Sequence, residues 1–165
     1  MKQQVLSLIL IALFAGAAFG HGAFTLSITG GSPMNIGEVY IGRSDFEATP
    51  ITLQCVTQGN HWELQIYATN DLTDNSTGQV LDIKQLKWFG AYAQATNPGP
   101  VQDRTDRFVE EGLNGGSVPL SLSPDTVYSD AGDQDVEVQV GLGIVVPETQ
   151  PQGNYSTVVR FTMTE

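Results

Sequence analysis

The sequence predicts an all-β fold, an antiparallel β-sandwich of the immunoglobulin-like or Greek-key type. Three observations point there. Apolar residues recur at every second position in one stretch after another beyond residue 22. Clusters of Gly, Pro, Asn and Ser divide those stretches, and no long segment carries a helical period. Such alternation is what a strand with one buried and one wet face requires, and many short strands of this spacing favour a sandwich.

The elements follow in order. Lys2 leads an apolar run from Val5 to Phe19, broken by Ser7 and Gly16 and closed by Ala18-Phe19-Gly20. This is the layout of a secretory signal peptide, and the run is shorter than the roughly 20 residues that span a bilayer. Residues 1–20 are therefore expected to be removed on export, with cleavage after Ala17 or Ala18 fitting nearly as well. Residues 21–165 would remain as a single secreted or cell-surface β-sandwich domain, with no membrane span after signal cleavage.

Phe24, Leu26 and Ile28 then alternate with Thr25, Ser27 and Thr29. Ile51, Leu53 and Cys55 alternate with Thr52 and Gln54, and Trp62, Leu64, Ile66 and Ala68 with Glu63, Gln65 and Tyr67. Val80 to Trp88 is ambiguous, and Asp103 to Gly112 has room for one helical turn. Val118, Leu120 and Leu122 form a shorter set, and Val136 through Val146 the longest. Tyr155, Thr157, Val159, Phe161 and Met163 close the chain as one expected strand. Gly30-Gly31-Ser32-Pro33, Gln58-Gly59-Asn60, Asn97-Pro98-Gly99-Pro100, Asn114-Gly115-Gly116 and Pro151-Gln152-Gly153-Asn154 supply the turns.

Composition narrows the function. A length of 165 residues suits one domain with a core. Eighteen acidic residues against seven basic ones give a net charge of −11. That leaves no basic stripe for a polyanion, which argues against nucleic acid and anionic membrane. One cysteine rules out an internal disulfide framework, a cysteine-based zinc site and a CxxC redox pair. Cys55 alternates with Ile51 and Leu53, so it reads as a buried, inert thiol. The sequence has no Gly-x-Ser-x-Gly elbow, and its Gly-rich stretches lack a P-loop lysine. Glu110-Glu111 and Asp103/Asp106 have no spacing that marks a glycosidase pair. The expectation is a non-catalytic protein with no cofactor.

Two places read together resemble a known family. Trp62-Glu63-Leu64 opens the strand after Gln58-Gly59-Asn60. Near the end, Gly153 and Tyr155 are followed by five residues and then Phe161-Thr162-Met163. The pair resembles the WxL surface domains, which carry an early Trp-x-Leu and a distal Tyr, five residues, then Trp-x-Leu. The proximal motif is intact, whereas the distal one has Phe for Trp and Met for Leu. The resemblance implies an exported β-rich module that binds a cell-envelope polymer or surface protein noncovalently, with Trp62, Leu64, Tyr155, Phe161 and Met163 as its motif residues. The residues themselves allow a plainer reading: Trp and Leu at i and i+2 on a strand are usually core, and Tyr155 behind Gly153 suits a sheet corner closed through its hydroxyl. A Gly-x-Tyr-led closing strand is also similar to fimbrial and spore-coat sandwiches. This implies an alternative, a fimbrial or matrix-type subunit assembling through strand exchange, with Ala23 to Ile28 as donor.

Other constellations carry further expectations. If the leader is cut after Gly20, His21 becomes the terminal residue, and its amine and ring with His61 resemble a copper-binding histidine brace. Asp130, Asp133 and Asp135, and Asn70, Asp71, Asp74 and Asn75, form acidic loops of the sort weak calcium sites use, though solvated loops are the simpler reading. Trp88, Phe89 and Tyr92 cluster on one strand, where alternation would expose at least one ring to a carbohydrate. Asn75-Ser76-Thr77 and Asn154-Tyr155-Ser156 match the glycosylation sequon.

Overall fold

The computed structural model describes residues 4–6, 25–46, 50–56, 62–95, 118–130 and 136–164. It is all-β, with antiparallel sheets, as the alternation predicts. In chain order the strands are β1 (Gln4–Leu6), β2 (Thr25–Gly30), β3 (Gly37–Val39), β4 (Ser44–Phe46), β5 (Ile51–Val56), β6 (Trp62–Ala68), β7 (Leu72–Asp74) and β8 (Val80–Leu81). A 3₁₀ turn at Ile83–Gln85 leads into β9 (Leu86–Ala95), β10 (Val118–Pro119), β11 (Asp125–Asp130), β12 (Val136–Val145), β13 (Asn154–Ser156) and β14 (Val159–Thr164).

These strands form three sheets. The largest runs β10-β9-β12-β5-β2, with β4 end to end with β5 along the same edge of β12. A three-stranded sheet runs β11-β6-β14, and a third, of short strands, runs β3-β1-β13-β7-β8. Side chains from all three meet in one core: Leu26, Leu53 and Val138 from the first, Trp62, Leu64 and Phe161 from the second, Val39, Leu72 and Tyr155 from the third. That shared core follows from the period of two. In β5 and β6 every odd position of the motif is buried and every even one half-exposed.

β12 departs from this rule halfway along. Val136, Val138 and Val140 alternate with half-buried Glu137 and Gln139, but Gly141 to Ile144 are all buried. Gly141 lies opposite Phe89 of β9, whose ring covers it, so that any Cβ there would collide with the ring. An aromatic side chain thus occupies the space that the glycine leaves, a close approach that glycine in a strand permits. β9 also carries an extra residue at Ala91, where the register shifts between Gln139 and Val140.

Several elements differ from the sequence reading, each for a local reason. The expected closing strand is two strands: Tyr155 in β13 belongs to the short-strand sheet, while Val159, Phe161 and Met163 in β14 belong to the three-stranded one. Burial still alternates through Thr157, whose hydroxyl donates to the Asn70 carbonyl at 2.7 Å, so the chain changes sheet without changing face. In the Val118 set only Val118 and Pro119 pair with β9. The chain turns at Ser121–Ser123, with the Ser123 N–H donating to the Ser121 hydroxyl at 3.0 Å, and leaves Leu122 53% exposed. β11 escapes the alternation test because a bulge between Thr126 and Tyr128 puts consecutive Val127 and Tyr128 both into the core. The ambiguous stretch resolves as β8, the 3₁₀ turn and the start of β9. Asp82 holds that turn by accepting the Lys84 N–H at 2.9 Å. The expected helical turn at Asp103 to Gly112 lies outside the described residues.

Within the stretch read as an export leader, Gln4–Leu6 is a strand. It pairs antiparallel with β3 and parallel with β13. The segment read as a donor is occupied within its own chain, since Thr25–Gly30 pairs with β5.

Candidate functional site

The motif residues come together, but in the interior. Trp62 and Leu64 are fully buried on the inward face of β6, and Phe161 and Met163 on the inward face of β14. Leu64 stands directly opposite Met163, and Ile66 opposite Phe161, so the two motifs are cross-strand neighbours. The Trp62 ring packs against Tyr128, with centroids 5.4 Å apart and planes tilted by 41°. Its indole N–H is buried without a hydrogen-bond partner. The outward face of the same strand is polar: the Glu63 carboxylate accepts from the Thr126 hydroxyl at 3.2 Å, and Tyr67 stands opposite Arg160. Phe161 and Met163 both face the core, so neither side chain presents a surface to a ligand.

Tyr155 closes a corner. It is 2% exposed, its hydroxyl donates to the Pro151 carbonyl at 2.8 Å, and it accepts from Gln150 Nε2 at 2.7 Å. Beside it lies Asp74, also 2% exposed. The Oδ1 atom of Asp74 accepts from the Ser76 hydroxyl at 2.6 Å and the Ser76 N–H at 2.8 Å, and Oδ2 accepts from the Asn154 N–H at 3.1 Å. The Ser76 hydroxyl, the Ser76 N–H and the Asn154 N–H together hold the carboxyl down at about 2. A carboxylate so held is an acceptor that ties β7 to β13 and gives no proton at neutral pH. Gly153 makes this approach possible, because a Cβ there would collide with the Asp74 carboxylate.

The acidic loop that includes Asp74 is therefore engaged by backbone. Asp71 likewise accepts the Ile83 N–H through Oδ1 at 2.9 Å. Among the described residues no group of three His, Cys, Asp or Glu side chains is placed to hold a metal ion. Asp133 and Asp135, and both histidines of the brace, His21 and His61, lie outside the described residues. Cys55 is buried, and desolvation pushes its thiol up to about 12, which leaves it protonated and inert. Of the aromatic cluster, Trp88 is core and Phe89 is half-buried over Gly141. The side chain of Tyr92 lies outside the description.

The surface feature that sequence reasoning missed is an open groove of about 430 Å³. Val80 and Leu122 supply apolar wall, and Ile83 and Ser121 line it further. Lys84 brings a positive charge, and Asp71 and Asp82 bring carboxylates. Val80 and Leu122 are 54% and 53% exposed, more than any other large apolar side chain among the described residues. They come from strand and turn segments about forty residues apart in sequence. The hydrogen bond from the Ala68 N–H to the Ser121 carbonyl, at 2.9 Å, draws the second segment alongside β6.

Comparison with known proteins adds little identity. No family model matches the chain, and no curated protein matches it. Among solved structures, a family 123 glycoside hydrolase from Clostridium perfringens, studied for glycolipid glycan hydrolysis, aligns with 76% of this chain at 9% identity and a TM-score of 0.34. The chain spans about a fifth of that enzyme's length, 22%. A similarity of this size carries no argument about function.

Proposed function

We propose that this protein is an exported, non-catalytic surface module that binds a cell-envelope polymer or surface protein. The observation that carries the reading is the groove: two apolar side chains more than half exposed, beside a lysine and two carboxylates. Concave sites that combine apolar wall with a few polar groups are the usual form of a binding site. Its carboxylates also favour binding over chemistry. Asp71 and Asp82, which line the groove, each accept a backbone N–H through Oδ1, so each is engaged in positioning the chain. The WxL-like residues support the reading through the fold they build, since all five are buried and the ligand must be met by the exterior.

The test is pelleting of the natively exported protein with purified peptidoglycan, against a Val80→Glu/Leu122→Glu variant. Cosedimentation of the wild type, lost at least tenfold in the variant while its thermal transition is unchanged, is the expected result. A wild type that stays in the supernatant, or a variant that pellets equally well, would sink the polymer-binding reading.

A further inference from the structure

We infer that the groove takes a short peptide carrying both a carboxylate and an amine, and that this is the stem peptide of the wall polymer, not its glycan strand. The inference rests on the wall-binding reading above and names the part of the polymer that this surface meets.

The lining disfavours the other parts of an envelope polymer one at a time. A sugar ring is commonly held by stacking its C–H face on an aromatic ring, and among the described residues no aromatic side chain lines the groove. Its exposed walls are the branched alkyl groups of Val80 and Leu122, which gain by covering methyl and methylene groups. A phosphate-rich polyanion is opposed by charge. Asp71 and Asp82 outnumber Lys84 in the groove, and the whole chain carries −11. The complementary ligand has charges of both signs with small alkyl groups between them. The stem peptide of peptidoglycan has that chemistry: alanine methyls, free carboxylates and the amine of a diamino residue.

Lys84 supplies the positive pole. Its side chain is exposed, and among the described residues its ammonium forms no ion pair. A carboxylate of the peptide is the partner such a group takes. The walls are fixed before a ligand arrives. The Val80 carbonyl accepts from Gln150 Nε2 at 3.2 Å, and the same nitrogen donates to the Tyr155 hydroxyl at 2.7 Å, which braces β8 against the buried Tyr155 corner. The segment that carries Leu122 is held by two backbone bonds, from the Ala68 N–H to the Ser121 carbonyl at 2.9 Å and from the Leu120 N–H to the Leu86 carbonyl at 2.8 Å. Walls held in this way lose little freedom on binding. The volume of about 430 Å³ falls within the range of roughly 300–1,000 Å³ usual for small-ligand sites, which suits a few residues of peptide and not a folded chain.

The test compares pelleting of the natively exported protein with purified peptidoglycan and with the same glycan after an amidase has removed its peptides. We expect retention on the first and a loss of about tenfold or more on the second. The soluble tripeptide acetyl-Lys-D-Ala-D-Ala, which carries one amine and one carboxylate, should release the protein from intact peptidoglycan. Lys84→Glu should weaken pelleting about tenfold. Lys87→Glu makes the same charge change on β9, outside the groove, and should pellet as the wild type does, with both variants keeping the wild-type thermal transition. Equal pelleting with the stripped glycan, no release by the tripeptide, or equal losses in the two lysine variants would overturn the peptide assignment while leaving wall binding intact. A wild type that pellets with neither polymer would overturn the wall-binding reading, and this inference with it.

Discussion

In the three-stranded sheet, β6 and β14 pair over six consecutive positions, and each inward side chain is apolar, all but Ala68 of them large. In the short-strand sheet no strand exceeds three residues, and the joints are polar: Asp74 to Ser76 and Asn154, Tyr155 to Pro151 and Gln150. The two regions share one core yet are secured differently. Long alternating strands need only the hydrophobic effect to fix their register, because a slip of one residue would turn every apolar side chain outward. Strands of two or three residues bury too little for that, so buried hydrogen bonds specify where they lie. The region built on long strands carries the WxL-like residues. The region built on hydrogen bonds is the one that β1 joins.

Substitutions can break or sharpen this contrast. Phe161→Ala should have the largest effect, about 3–5 kcal/mol of unfolding free energy, because it empties a fully buried site in β14. Chemical denaturation measures it, and a loss below about 1 kcal/mol would show that the three-stranded sheet is not the stabilising region. Gly141→Ala should cost about 1–3 kcal/mol by forcing the Phe89 ring off the strand. Adding Phe89→Ala should make the glycine substitution far less harmful, and a double-mutant cycle without coupling would refute the contact. Tyr155→Phe should cost about 1 kcal/mol, the net value of a hydrogen bond. Its effect should be additive with that of Phe161→Ala if the two regions are held independently.

Asp74 offers a test by pH. Its folded pKa, about 2, lies below the ordinary 3.8, so the carboxylate stabilises the fold above about pH 4. That contribution is lost as pH falls through about 2. Asp74→Asn should flatten the stability profile between pH 4 and 2, and an unchanged profile would show that other carboxylates govern acid unfolding. The smallest effect belongs to Met163→Leu, a swap of nearly equal volume that should fall well within the 1.5 kcal/mol or so usual for such changes. Since Met163 is buried, the swap leaves the surface untouched, and binding to peptidoglycan should be unaltered in the pelleting assay.

Much of this was legible before the fold was known. The period of two located β2, β5, β6, β12 and β14, because alternation is imposed residue by residue by the pleat and needs no knowledge of partners. It also placed Trp62, Leu64, Phe161 and Cys55 inside. It failed at β11, where a bulge sets two neighbours facing inward, and at Leu122, where a serine turn reverses the chain before alternation can continue. It could not divide the closing stretch, since Tyr155 and Val159 keep the same inward phase while joining different sheets.

The sequence by itself determined that the protein is all-β, which side chains of its long alternating strands face the core, and that its single thiol is buried. Those properties come from local periodicity and transfer free energy, and a linear chain records both. Only the tertiary structure decided that Leu64 faces Met163, that Val80 and Leu122 share a groove, and that Asp74 is used up by Ser76 and Asn154. It alone set β3 and β13 on either side of β1. Each of these joins residues far apart in sequence, and their pairing is chosen by the packing of whole sheets around one core, which no local pattern encodes.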